Sequence, residues 1–239
     1  MKLIVSGQMT TFWLQLLFCV GVVVVTLRAR KGMKMPEIRR VAGLDAIDEA
    51  LGRATEMGKP VLYVPGIGSI GDAQTLAALS ILGHIASMTA KLNTRLIVCN
   101  RDTTVHPITE AIVQQSYRQA GKLEDYSADD IRYLSSEQFA FASGVMGLMA
   151  REQVAAAILI GAFWSESLLF AEKGHQLGAI QVAGTANAPQ LPFFVTACDY
   201  TLIGEEIYAA SAYLSREPVL LANIVVQDWG KIATILLIL

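Results

Sequence analysis

Residues 61–72 read VLYVPGIGSIGD, and the fold class follows from them. Val61 to Val64 is a short, continuously apolar run, as a strand buried on both faces requires. Gly66, Gly68 and Gly71 follow at G-x-G-x-x-G spacing, and Asp72 stands where a helix cap belongs. A strand that ends in a glycine turn and passes at once into a helix is the first unit of a parallel α/β sheet.

The chain around this stretch repeats the alternation. Leu44, Ile47, Ala50, Leu51 and Ala54 recur at helical spacing, and Gly58 and Pro60 end that helix. Helices are expected over 72–92, 106–120, 165–173 and 203–214. Strands are expected over 61–64, 95–99, 156–160, 179–183 and 193–197. Ser135 to Gln138 carries a capping-box pattern inside the insertion 122–153. The helix it opens presents Ala140, Ser143, Gly144 and Gly147, small residues suited to close packing within the domain or to a subunit contact. The expected fold is a Rossmann-like α/β domain: a mostly parallel five-stranded sheet with helices on both faces, preceded by one transmembrane helix.

The glycine loop has two readings. In the dinucleotide fingerprint, glycines let the backbone approach a pyrophosphate resting on a helix N-terminus. On that reading Gly66, Gly68, Ser69 and Gly71, with Asp102 and Thr185 from neighbouring loops, form the ligand cleft. Three features depart from the fingerprint: Pro65 precedes the first glycine, Asp72 puts negative charge beside the phosphate position, and Asp102 lies more than about 20 residues past Gly71. In the other reading the glycines form a structural turn and Asp72 caps the next helix.

Further polar residues fall at strand ends: Gln74 and Thr75; Asn100, Arg101 and His106; Glu166; Asn187; Glu205 and Glu206. In an open parallel sheet these loops share the ligand-binding edge. Glu166 with Glu205 or Glu206 could form a carboxylate pair, although acids in a first helical turn ordinarily serve the helix dipole. His84, His106 and His175 fit core, cap and helix-end positions. The zincin, C-x-x-C, nucleophile-elbow and P-loop patterns do not occur. Cys19, Cys99 and Cys198 have neither disulfide nor zinc spacing. The residues imply no particular cofactor, and no reaction can be assigned from them.

The ends of the chain have a different character. Hydrophobic residues make up 53% of the 239 and the net charge is −2, which gives no field for nucleic acid. The apolar excess sits at the termini. Residues 9–27 are uncharged and long enough to cross a bilayer. Arg28, Arg30, Lys31, Lys34, Arg39 and Arg40 follow, and only Lys2 precedes. The positive-inside rule therefore places residues 1–8 outside, 9–27 across the cytoplasmic (inner) membrane, and the rest inside. Residues 28–43 read as a basic juxtamembrane linker and 44–216 as the cytoplasmic domain. Residues 217–239 read as a C-terminal helix, either docked on a membrane or partner or starting a second span near Trp229, with Trp229 and Lys231 at the cytoplasmic interface. A cleaved signal peptide fits poorly, because the charge lies on the wrong side.

Several stretches carry a resemblance: LYVPG at 62–66 with GDAQT at 71–75, YLSSEQFAFASG at 133–144, GAIQVAGT at 178–185, QLPFF at 190–194 and CDYTLIGEEIYAASAYLS at 198–215. Together they resemble a family of uncharacterised prokaryotic integral membrane proteins carrying a domain of unknown function. The resemblance implies apolar segments on both sides of a soluble domain, and no activity for any residue.

Two functions follow as expectations. One is a membrane-anchored scaffold or partner-docking subunit, homo-oligomeric or part of a larger membrane complex, with the lipid bilayer as its first partner. The other is a nucleotide- or dinucleotide-binding protein or enzyme using the Gly66–Gly71 loop.

Overall fold

A computed structural model describes residues 9–31, 42–215 and 217–238. The segment expected outside the membrane, 1–8, and most of the basic linker, 32–41, lie outside the described residues. The chain divides into two compact units, Arg40–Ser215 and the pair Met1–Arg39 with Arg216–Leu239.

The larger unit is an α/β domain. Its sheet holds six strands: β1 (Val61–Gly66), β2 (Leu96–Asn100), β3 (Ile131–Tyr133), β4 (Ala156–Ala162), β5 (Ile180–Thr185) and β6 (Tyr200–Ile203). Every pairing is parallel and the order is β3-β2-β1-β4-β5-β6. Successive side chains of a strand point to opposite faces, and each face has its own core. Val61 and Tyr63 join one, and Leu62 and Val64 join the other. The first core takes in α2 (Ala42–Met57), α3 (Ala73–Leu92), α4 (Val105–Gln119) and α8 (Glu206–Ser215). The second takes in α5 (Gln138–Glu152), α6 (Glu166–Leu177) and α7 (Leu191–Ala197). Tyr63 is buried at the centre of β1, where burial pushes its phenol pKa well above the usual range. Its hydroxyl donates to the Ala78 carbonyl at 2.6 Å, so the core contains no orphaned phenol there.

Four sequence expectations need correction. The sheet has six strands rather than five, and residues 193–197 belong to helix α7. Pro192 fixes φ in the first turn of that helix, and only Phe194 of α7 is buried, whereas a central strand would bury both faces. The real strands β3 and β6 lie at the sheet edges. Each buries one residue, Ile131 or Leu202, so neither shows the apolar run that marks the inner strands. The capping box at Ser135 does not form: α5 starts at Gln138, and the Ser135 hydroxyl accepts from the Glu137 amide instead. Helix α6 also runs through Gly174 and ends at Gly178, a left-handed residue at φ 66°. Gly174 is needed for packing, since a Cβ there would lie 2.2 Å from Gln181 Oε1.

The smaller unit pairs α1 (Met9–Arg30) with α9 (Pro218–Ile238). Val25, Ala222, Val225 and Val226 form its buried contact, and Gly21 brings the α1 backbone close to Val226, whose Cγ1 lies 3.3 Å from an added Cβ.

Candidate functional site

The strand order reverses at β1. Strands β2 and β3 lie on one side of it, and β4, β5 and β6 on the other. Ligand crevices of open parallel sheets form at such a reversal, outside the carboxyl ends of the strands. The Gly66–Gly71 loop leaves β1 at this point.

Backbone packing determines the start of the loop. Gly66 has φ 82°, and a Cβ on it would stand 2.5 Å from the Ala162 carbonyl oxygen. Gly161 on β4 has φ 142°, and a Cβ there would stand 2.3 Å from the Pro65 carbonyl oxygen. The two glycines let β1 and β4 close on each other where their register shifts. The Ile67 amide then donates to the Ala162 carbonyl at 2.8 Å.

Beyond this point the Asp72 and Thr75 side chains crowd the Gly68 position. Asp72 Oδ1 accepts from the Gln74 amide at 2.8 Å and so caps α3, as its position in the sequence suggested. Its Oδ2 lies 3.1 Å from a Cβ built on Gly68, and Thr75 Oγ1 lies 2.5 Å from the same point. Ser69 and Gly71 are exposed, and the Ser69 carbonyl accepts from the Asp72 amide. The helix N-terminus thus already carries a carboxylate, and an incoming anion would meet like charge.

Gln74 ties the loop to the strands beyond the reversal. It is buried, and its Oε1 accepts from the Ala186 amide at 2.7 Å and the Thr185 hydroxyl at 3.2 Å. Its Nε2 donates to Asn187 Oδ1 at 3.1 Å, while Asn187 Nδ2 donates to the Phe163 carbonyl at 2.7 Å. Thr185 is fully buried in this network and also accepts from the Asn187 amide. In the sequence Gln74 is one of several polar residues at the strand ends, and nothing there marks it as the bridge. The signal available was a pair of polar residues, Gln74 and Thr75, in the first turn of the helix that follows the glycine loop.

Beside β2, Asp102 Oδ1 accepts from the Thr104 amide at 2.7 Å, the Val105 amide at 3.1 Å and the Thr104 hydroxyl, which makes it the bracket for the start of α4. The Thr104 hydroxyl is the main cause that holds this carboxyl pKa below its usual value. Arg101 Nη1 donates to the Ile67 carbonyl at 3.1 Å and joins the β2 loop to the glycine loop. Asn100 Nδ2 lies 3.4 Å from His106 Nδ1. Among the described residues, Thr75 Oγ1, Asn100 Oδ1 and Arg101 Nε are buried without a partner. The structure therefore brings Gly66, Gly68 and Thr75 together with Arg101, one residue from Asp102. It places Thr185 behind Gln74.

The acids at the other helix starts also hold backbone. Glu166 is buried, its Oε1 accepts from the Trp164 amide at 2.8 Å, and Oε2 accepts from Gln138 Nε2. Glu206 Oε2 accepts from the Ile203 amide at 2.9 Å. Burial pushes the Cys99 and Cys198 thiols up to about 12, so both are neutral near pH 7. No group of three metal-binding side chains occurs among the described residues. A cavity of about 260 Å³ opens at the opposite, amino edge of the sheet, lined by Thr89, Asn93, Arg95, Tyr117, Tyr126 and Asp130 among others. Arg95 is held there by Asp130 and Glu152 at 2.6 and 2.8 Å.

In the small-residue helix, a Cβ on Gly144 would stand 3.2 Å from Leu134, while Ala140, Ser143 and Gly147 face outward. The described residues thus define an all-parallel α/β protein whose strand-end loops are cross-linked by their own side chains. The chain belongs to a family described as a domain of unknown function, DUF6754, whose model matches residues 1–239. No curated protein and no solved structure matches the chain.

Proposed function

We propose that this is a membrane-anchored protein whose Rossmann-like domain works at the cytoplasmic face as an oligomeric scaffold or partner-docking subunit. The observation that carries the reading is the pairing of α1 and α9. Each is long and apolar enough to cross a bilayer, over Thr11–Arg30 and Pro218–Leu236. They bury a narrow seam against each other and expose the rest, with Leu17 at 73% and Leu236 at 71% exposure. Water makes such a surface costly, and lipid does not. Helix α3 has similar length and apolarity, but 56% of its most apolar stretch is buried within the protein. Arg28, Arg30 and Lys31 close the end of α1 that leads to the domain and so favour a cytoplasmic position for that end. The docking role is supported by the carboxylates at the sheet edge: Asp72, Asp102, Glu166 and Glu206 all hold backbone amides. Alkaline carbonate extraction of membranes containing the full chain tests the anchor. The protein is expected in the pellet, and release into the supernatant would contradict the reading.

A second reading, nucleotide binding at the glycine loop, has one favouring observation. Among the described residues the amides of Gly68, Ser69, Ile70 and Gly71 have no acceptor, and Arg101 lies alongside them. The Asp72 carboxylate opposes it. Thermal unfolding of the full chain in detergent against nucleotides and dinucleotides separates the two readings. A ligand present at 100 times its dissociation constant adds about 2.7 kcal/mol, a shift of a few degrees. The scaffold reading expects no shift in the wild type. A shift that is lost in Gly68→Val would establish the loop as a binding site.

A further inference from the structure

Helix α9 carries a polar stripe within its apolar length. Asp228, Lys231 and Thr234 recur at three-residue steps and Gln227 lies four before Lys231, so they share one side of the helix. Asp228 Oδ1 and Lys231 Nζ form an ion pair at 3.5 Å, and their side chains are 58% and 48% exposed even with α1 packed in place. Both helices are joined to the same domain, at the C-terminal end of α1 and the N-terminal end of α9. If both cross one bilayer, as the proposed anchor requires, they run in opposite directions.

Depth then follows from the helix contact. Gly21 meets Val226. Gly21 lies six residues from Leu27, the last before the basic cluster, which is about 9 Å at 1.5 Å per residue. Asp228 and Lys231 lie two and five residues beyond Val226, about 3 and 7.5 Å further from the basic end. They therefore stand about 12 and 16 Å into a hydrocarbon layer about 30 Å thick. On the proposed anchor, Trp229 and Lys231 thus lie deeper than the interfacial position expected from the sequence. Lipid covers a carboxylate and an ammonium at that depth only at high cost, and such groups face protein or a water-filled space.

We infer that the Gln227–Asp228–Lys231–Thr234 stripe is the seam at which a second copy of this chain docks within the membrane. The inference rests on the proposed anchor. A second copy is selected by charge complementarity. The stripe carries one negative and one positive group a single turn apart, so a two-fold axis along the membrane normal brings each carboxylate next to the other copy's ammonium. The four charges then alternate around the axis, and none faces lipid. A partner with an apolar helix would leave the pair as it stands in one copy, and a partner with a single charge would leave a surplus.

The experiment co-expresses two differently tagged full-length copies. Membranes are first extracted with carbonate and then solubilised in mild detergent, and one tag is captured. Wild type is expected in the carbonate pellet and is expected to capture its second copy. Asp228→Lys alone and Lys231→Asp alone are each expected to stay in the pellet and to lose self-capture at least tenfold. Asp228→Lys paired with Lys231→Asp is expected to regain capture, because opposite charges face each other again. Wild type that is retained in the pellet but captures no second copy would overturn the seam and leave the anchor standing. Equal self-capture by Asp228→Lys would also overturn it. Release of the wild type by carbonate would overturn the anchor, and the seam with it.

Discussion

Gly161→Ala is expected to destabilise the domain by about 2–6 kcal/mol, a sum of overpacking and backbone strain of about 1–3 kcal/mol each. The new Cβ would lie 2.3 Å from the Pro65 carbonyl oxygen and 2.8 Å from its carbon, so it meets main chain rather than a mobile side-chain tip. The φ of 142° adds a conformation that residues with a Cβ avoid. The strands can separate only by giving up the Ile67 amide bond to Ala162, and with it the start of the glycine loop. A domain stability of about 5–15 kcal/mol leaves little after such a loss. Urea unfolding of the full chain in detergent measures it. Gly52→Ala is the control. Gly52 lies in α2 with nothing near its Cβ position, and the change should be neutral or stabilising by up to about 1 kcal/mol. A loss below about 1 kcal/mol for Gly161→Ala would show that the close approach of β1 and β4 is not needed.

Gln74→Met is expected to cost about 1–3 kcal/mol, because the buried Thr185 hydroxyl loses its acceptor and the half-buried Ala186 amide and Asn187 side chain lose their partners. Methionine keeps the length and much of the volume, so the measurement isolates hydrogen bonding from packing. Gln74→Ala should cost at least as much. If Gln74→Met were as stable as wild type while Gln74→Ala was not, the bridge across the strand reversal would be a packing contact only.

How much of this was legible in the sequence depends on where each element lies. The inner strands β1, β2, β4 and β5 are buried on both faces, and two-sided burial writes itself as largely apolar runs. The edge strands β3 and β6 bury one residue each, and three or four residues with one apolar contact resemble a loop. Residues 193–197 misled for the opposite reason. Phe193, Phe194 and Val195 have strand-like side chains, but Pro192 and one-sided burial make the segment a helix. The Asp72 cap was legible because capping is local, a side chain reaching two residues along the chain. The Gln74 bridge was not, because its partners lie more than a hundred residues away and only the sheet order brings them near. The long gap between Gly71 and Asp102 also has a plain cause: α3 is 20 residues long, so β2 starts late in the sequence while still lying beside β1.

On the proposed reading, α1 and α9 hold this domain at the cytoplasmic side of a membrane. Protease protection of the full chain, expressed in a bacterial host with an N-terminal tag, tests it most directly. In intact spheroplasts protease is expected to remove the tag and leave the α/β domain whole. In inverted membrane vesicles the domain is expected to be digested and the tag to survive. A domain cut in spheroplasts and protected in inverted vesicles, or one digested in neither preparation until detergent is added, would rule out a cytoplasmic domain held by these two helices.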